Sequence, residues 1–495
     1  MAFLNRITRS LRGRTLQGLA WQAIGRGGER LLRFAVNVAL ARVLLPEDFG
    51  LAGLVTAALA TADAVTFLAG EQVLVQSARG RDPDFHNTLF WASAARGGLL
   101  AAVLAALAPL FAGYFNRPEA RGLFLAIALQ PLVAGLASPR AMVLVKDMRF
   151  RRWCLYRLAA TAVGVGLTVA LGVLLRNAWA LVAGQILTVA ALTAGSHAMA
   201  PFRPALRFDL ASWREMRAYW MRAAGTPVLL ALVAQAPAIL LGKLGGAAAL
   251  GVFLQNQRLG SVPSDLSLQA AGTVAMPAYS ALQDDRPRLC RLWLKALWAI
   301  ALLALPLAAT LAWLDADLPA AVFGQGFAGE RGLFALLAAG GALRSLLAVT
   351  GPLFWGTGLP SYDRQAQLIR TVLVYGAGIW WTLSFGGIGL ASALLAGLFV
   401  SLVSSLRLAR RIVEVRWRAI GLALLPGLGA AGATVLLLAG LDALRVFSGG
   451  WRIGALGAAG ALVCTAAALW IRHRDRQENL RRPTTPVAGG SNGHG

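Results

Sequence analysis

The stretch Gln22–Gly50, QAIGRGGERLLRFAVNVALARVLLPEDFG, decides how the chain is read. Its first part is apolar enough to be a helix, yet it carries Arg26, Glu29, Arg30 and Arg33. At 100° per residue, Gln22, Arg26, Glu29, Arg30, Arg33 and Asn37 fall within an arc of about 100°. The rest of the circumference is Leu, Phe, Ala, Val and Gly. A charge at the centre of a lipid-facing helix costs roughly 2.5–3.5 kcal/mol on insertion scales. Four facing lipid are prohibitive for one helix, so the stripe must face protein or a water-filled cavity. Glu29 leaves two readings open. It lies three after Arg26 and four before Arg33, so part of the stripe can be a self-neutralising ladder. Even then it cancels one arginine of three, and the surplus suits an anionic ligand.

Outward from this stretch, composition sets the class. The chain has 495 residues, 57% of them hydrophobic, and a mean hydropathy of +0.63. Those values belong to an integral membrane protein. The net charge of +25 does not indicate nucleic-acid binding, because the arginines stand singly or in small groups between apolar segments. Cys154, Cys290 and Cys464 have no motif spacing, so neither a disulfide framework nor a metal site is implied. Arg6, Arg9, Arg12 and Arg14 precede the first apolar run as in a signal peptide. That run is polar-striped and lacks a small-x-small cleavage site, so it reads as a retained helix.

A helix crosses a hydrocarbon core of about 30 Å with roughly 20 residues. Apolar windows of that length lie near 16–44, 50–76, 87–113, 120–145, 154–175, 178–199, 219–242 and 248–280. Six more lie near 292–314, 332–358, 366–384, 387–409, 419–441 and 452–471, which makes fourteen. With the N-terminus cytoplasmic, the inside loops hold Arg79 and Arg81, Lys146 to Arg152, Arg203 to Arg217, Arg286 to Arg291, Arg364, and Arg407 to Arg418. The outside loops carry mostly single basic residues with acids such as Glu47, Asp48, Asp315 and Asp317. The alternation predicts both termini in the cytoplasm. Ala200–Ala218 reads as a cytoplasmic linker ending in an amphipathic, interfacial helix. The stretch beyond Asn479 has the composition of a disordered tail.

An internal repeat is visible at an offset of 201 between LARVLLPEDFGLA (Leu40–Ala52) and LGKLGGAAALGVF (Leu241–Phe253). It pairs Arg42 with Lys243 and Gly50 with Gly251. Parallel halves with a substrate between them are a recurrent transporter design.

Further charges fall inside apolar windows: Asp63, Glu71, Arg96, Arg258, Asp265 and Arg344. Such residues mark ligand or ion pathways by default. Arg258 and Arg344 join the α-helical stripe as candidate substrate contacts, beside a Gln255–Gln257 polar patch. Asp63 and Asp265 are candidate ion-coupling carboxylates, or else counter-charges to arginines on neighbouring helices. Arg96 and Glu71 can instead snorkel to the interface. There is no Gly-rich nucleotide loop, HExxH or Cys/His cluster. An enzyme, a resident cofactor and a metal are therefore not expected, and the short outer loops disfavour a polysaccharide polymerase or ligase.

The segment LARVLLPEDFGLAGLV (Leu40–Val55) resembles the entry signature of bacterial polysaccharide exporters, the oligosaccharide flippases of the multidrug/oligosaccharidyl-lipid/polysaccharide superfamily. ALGVFLQNQRLGSVPSDLSLQAAGTVAMPAYSALQDDRPRL (Ala249–Leu289) and PFRPALRFDLASWREM (Pro201–Met216) are similar to that family's later motif and inter-lobe linker. The resemblance implies an all-α membrane protein with two six-helix lobes in a V-shaped, MATE-like arrangement, residues 1–205 and 206–412. Helices 13 and 14 follow in 413–478, and a tail in 479–495. It implies alternating access for an undecaprenyl-pyrophosphate-linked oligosaccharide in the bacterial inner membrane. Membrane lipids, a polysaccharide polymerase and glycosyltransferases are the partners implied, and nucleic acid is not. Arg26, Arg30 and Arg33 would hold the pyrophosphate through bidentate forks. Gln22, Asn37 and the Gln255–Gln257 patch would take sugar hydroxyls. A cation-coupled multidrug exporter of the same superfamily is the competing reading, against which the arginine surplus argues.

Overall fold

The computed structural model describes residues 2–68, 70–223, 225–443, 453–460, 462–463 and 465–466, all helix and connecting loop. The disordered tail expected beyond Asn479, with its arginines, and Cys464 lie outside the described residues.

The first helix, α1, runs Ala2–Ala41. Pro46 then opens α2 (Pro46–Val65) at its first turn, where a missing N–H does no harm. The Asp48 carboxylate takes the Leu45 N–H at 3.0 Å and fixes the entry. After a break come α3 (Gly70–Gln76) and α4 (Pro83–Tyr114), capped by Asp82. The fourth apolar window is not one helix. It is α5 (Ala120–Ile127), α6 (Leu129–Gly135), a 3₁₀ turn and α7 (Val143–Lys146), bent by 65°. Then follow α8 (Phe150–Leu175) and α9 (Ala178–Met199).

Beyond the linker lie α10 (Leu210–Ala223), α11 (Gly225–Ala236), a π turn at Pro237–Leu241, and α12 (Gly242–Leu244). They are followed by α13 (Gly246–Gly260), α14 (Val262–Ser280), α15 (Arg286–Leu314), α16 (Asp317–Phe323) and α17 (Leu333–Gly356). The last two long elements are α18 (Pro360–Val413) and α19 (Trp417–Ala443).

Among the described residues, nine helices are long and apolar enough to cross a membrane, or ten with the bent α5–α7 unit. The expected fourteen are not all recovered this way. The α13 helix is only 15 residues long. The α18 helix passes once although it contains two windows. At Gly386, φ is 55° and ψ is −131°, a conformation suited to glycine. There the chain doubles back, so that the Ser401 hydroxyl reaches the Ala366 carbonyl at 3.2 Å. The chain is a multi-pass helical membrane protein.

Helices before the linker pack mainly on one another: α8 on α1 and α9, α4 on α5 and α6. Those after it gather around α17, with α19 along α15. The main crossing between the two sets is α2 on α13, and it is reciprocal. A Cβ on Gly50 would run into the carbonyl of Ala247, and one on Gly251 into that of Pro46. These four residues are two pairs related by the offset of 201. Beside them Arg42 donates to the carbonyls of Ala321 and Val322, while Lys243 donates to that of Tyr114. Each basic residue of the repeat thus takes carbonyls at or near the end of a helix in the opposite half.

The linker is pinned to α4. Asn87 accepts the Ala205 N–H at 2.9 Å, Trp91 donates to the Ala205 carbonyl at 2.8 Å, and Thr88 accepts the Asp209 N–H at 2.9 Å. Arg79 bridges Asp82 at 3.0 Å and Asp209 at 2.9 Å. The hydroxyl and N–H of Ser212, then Arg79, hold the Asp209 carboxyl well below the usual carboxylate range. The Asp84 N–H and then Arg79 lower that of Asp82. The α10 helix also packs on protein. Its Met216 is fully buried with Leu74, Phe85 and Leu89, so part of its apolar face meets protein and only residues such as Leu210 and Met221 are exposed.

Candidate functional site

Glycines on one side of α1 set it against α8, because Gly25 lies on Cys154 and Gly28 on Leu158 with no room for a Cβ. The polar stripe is therefore rotated away from α8 towards the second half. Glu29 stands about 40° around the helix from Gly25, at the edge of that contact. It meets Arg157 of α8 through two bonds of 2.8 and 3.1 Å. The ladder with Arg26 and Arg33 is not formed. An arginine from the next helix takes the one carboxylate of the stripe, and none is left within α1 for its own three arginines.

One of those arginines, Arg30, reaches the second half. Arg30 pairs with Asp265 of α14 at 3.5 Å and donates to its carbonyl at 3.2 Å. Asn37 donates to the Arg33 carbonyl at 2.6 Å and accepts from the Arg258 guanidinium of α13. Gln22 is half-buried on the same face, while Arg26 and Arg33 are exposed and form no ion pair among the described residues.

Arg258 has a second partner, Gln255, at 3.1 Å. The expected Gln255–Gln257 patch is split by the turn of the helix. Gln255 and Asn256 are fully buried, and Asn256 is spent on the carbonyls of Val252 and Phe327. Only Gln257 lines an open space. That space is a cavity of about 310 Å³ among α11, α13, α17 and α18, which Arg258, Ser261, Arg344 and Arg370 also line. Arg370 is absent from the residues singled out by sequence. The signal was the one that marks Arg344, a lone charge inside an apolar window.

Asp63 lies apart from this group. Its carboxylate pairs with Arg96 of α4 at 2.6 Å. Arg96 also donates to the carbonyls of Thr66 at 2.7 Å and Asp63 at 3.0 Å. Those carbonyls are left free where α2 ends, so the guanidinium closes a broken helix inside the bundle and Asp63 balances it. Arg96 does not snorkel. Glu71 lies on α3, and its side chain is outside the described residues.

Residues 39–329 match the protein family described as "Polysaccharide biosynthesis protein". The chain belongs to that family. Among its curated relatives, the polysaccharide biosynthesis chain is 23% identical over 366 residues to the succinoglycan biosynthesis transport protein ExoT of Rhizobium meliloti (strain 1021), covering 73% of each. It is 22% identical to the lipopolysaccharide biosynthesis protein WzxC of Escherichia coli (strain K12), covering 74% of each. In fold it is similar to the lipid II flippase MurJ in its inward closed conformation. The TM-score is 0.73 at 12% identity, over 92% of this chain and 99% of that one. The protein is a membrane transporter of polysaccharide biosynthesis and not an enzyme.

Proposed function

We propose that the protein moves an undecaprenyl-pyrophosphate-linked oligosaccharide across the bacterial inner membrane by alternating access. The lobes would be residues 1–205 and 206–412, with 413–478 appended and both termini in the cytoplasm. One observation carries the reading: α1 presents Arg26 and Arg33, exposed and with no ion pair among the described residues, on the same stripe as Arg30 and Asn37, which reach α14 and α13 of the second half. Pyrophosphate is the part of such a cargo least able to enter a membrane, and arginine forks bind its oxygens bidentately. The cationic surplus also argues against a cation-coupled drug exporter, whose cavity would need to attract positive charge. Arg30 and Asp265 join α1 to α14 and would have to part for the halves to separate. The test is reconstitution in liposomes with a fluorescent undecaprenyl-pyrophosphate oligosaccharide. Protein-dependent exchange between leaflets is expected, with no efflux of cationic dyes. Dye efflux without sugar transport would defeat the proposal.

A further inference from the structure

The cavity in the second half holds a cationic group that the α1 stripe does not explain. Arg258, Arg344 and Arg370 line it, and no carboxylate does. The Nε atoms of Arg344 and Arg370 are buried without hydrogen-bond partners among the described residues. The two guanidiniums lie close enough to repel each other. Asp265 attracts Arg344 and Asp363 attracts Arg370, yet neither carboxylate lines the pocket or forms an ion pair with these arginines among the described residues. Asp265 is engaged with Arg30, and Asp363 accepts the indole N–H of Trp355 at 3.2 Å. Three like charges around a lining that holds no carboxylate, their two nearby acids already engaged elsewhere, are unfavourable in such surroundings, and an anion inside the pocket would offset them.

A diphosphate esterified at both ends has one ionised oxygen on each phosphorus. Those two charges match Arg26 and Arg33 and leave the pocket arginines unbalanced. We infer that the pocket receives an acidic group of the glycan itself, so that the cargo is an acidic oligosaccharide. This rests on the flippase reading and adds to it the class of sugar. The volume of about 310 Å³ lies at the small end of ligand pockets, roughly 300–1,000 Å³. It suits one sugar residue or a carboxylated substituent. Arg258 reaches both Asn37 on α1 and the pocket, so the two anion sites adjoin, as a glycan joined to its carrier requires.

The intact protein in lipid nanodiscs would be titrated with a glucuronic-acid-containing tetrasaccharide and with the same tetrasaccharide carboxyl-reduced. The acidic form is expected to bind at least about tenfold more tightly, a difference of one charge-assisted contact. Arg370→Gln and Arg344→Gln should each remove that preference. Arg370→Lys, which keeps the charge and loses the fork, should fall between. Equal binding of the two sugars, or a preference that persists when both arginines are replaced, overturns the inference. Inorganic phosphate that binds through the same arginines, with no preference between sugars, would make this a free-anion site and overturns it too. Undecaprenyl pyrophosphate alone, titrated into the unaltered protein, tests the flippase reading separately. Its failure to bind while the sugar preference stands would defeat that reading and not the pocket's specificity for acids.

Discussion

Glu29 shows what a single carboxylate can settle. With its side chain 16% exposed and its partner on a neighbouring helix, it is a packing element of α1 against α8. Arg157→Ala strands it, at a cost of the order of 3 kcal/mol. Membrane abundance measured by immunoblot should fall sharply and recover when Glu29→Gln is added. Arg26→Ala and Arg33→Ala strand nothing, so their abundance should stay normal. Undecaprenyl-pyrophosphate affinity should instead drop by about ten- to a hundredfold, since a charge-assisted hydrogen bond contributes roughly 1.5–3 kcal/mol. Unchanged affinity with normal abundance in the Arg26→Ala/Arg33→Ala double variant would remove α1 from the site. The stripe was legible in sequence because helical period alone places it. Its partners were not. Arg157 and Arg96 come from other helices, and no spacing within α1 or α2 reports which neighbour arrives beside a carboxylate. For that reason the sequence left Asp63 open between an ion-coupling carboxylate and a counter-charge to an arginine on a neighbouring helix, and it did not name Arg96 as that arginine.

Among the helices, Gly50 and Gly251 let backbones touch where α2 crosses α13. Gly50→Ala pushes a methyl group into the carbonyl of Ala247, and overpacking of this kind costs about 1–3 kcal/mol. A disulfide between Pro46→Cys and Ala247→Cys should form readily in the glycine background and poorly in Gly50→Ala. Equal cross-linking in both would mean the crossing tolerates separation. The linker clasp gives a pH prediction. The carboxyls of Asp82 and Asp209 both sit below their ordinary range. Their contribution is therefore present above that range and lost only as pH falls through the lower, folded-state values. Amide exchange at Ala205 and Asp209 should stay slow at pH 4, and Asp209→Ala should accelerate it at neutral pH. Exchange that quickens near pH 4 in the unaltered protein would show that the clasp has no such reserve. The repeat joining these helices was readable at an offset of 201. The breaks in α5–α7 and at Ser261 were not, because hydropathy averages over a bend.

For the whole molecule, loop charge predicts which side each connection faces. Cysteines at Glu47, Asp317 and Asp442 should react with an impermeant maleimide from outside, and those at Arg81, Arg151, Arg214 and Arg411 should not. One reversal within the first six spans would break the topology. Fold class was legible from composition and window length alone. Sequence windows and helix boundaries give different numbers of spans, in part because Gly386 turns the chain within α18. The glycine crossing has a mechanical consequence. Two rods in backbone contact over a short length resist being pulled apart but offer little opposition to rotation, so the crossing serves as a fulcrum. With 20 residues and a rise of 1.5 Å each, α2 is about 30 Å long, and a tilt of about 20° swings its far end by about 10 Å. In the proposed cycle a modest rocking at one membrane face is thus geared into a gap wide enough for sugars at the other.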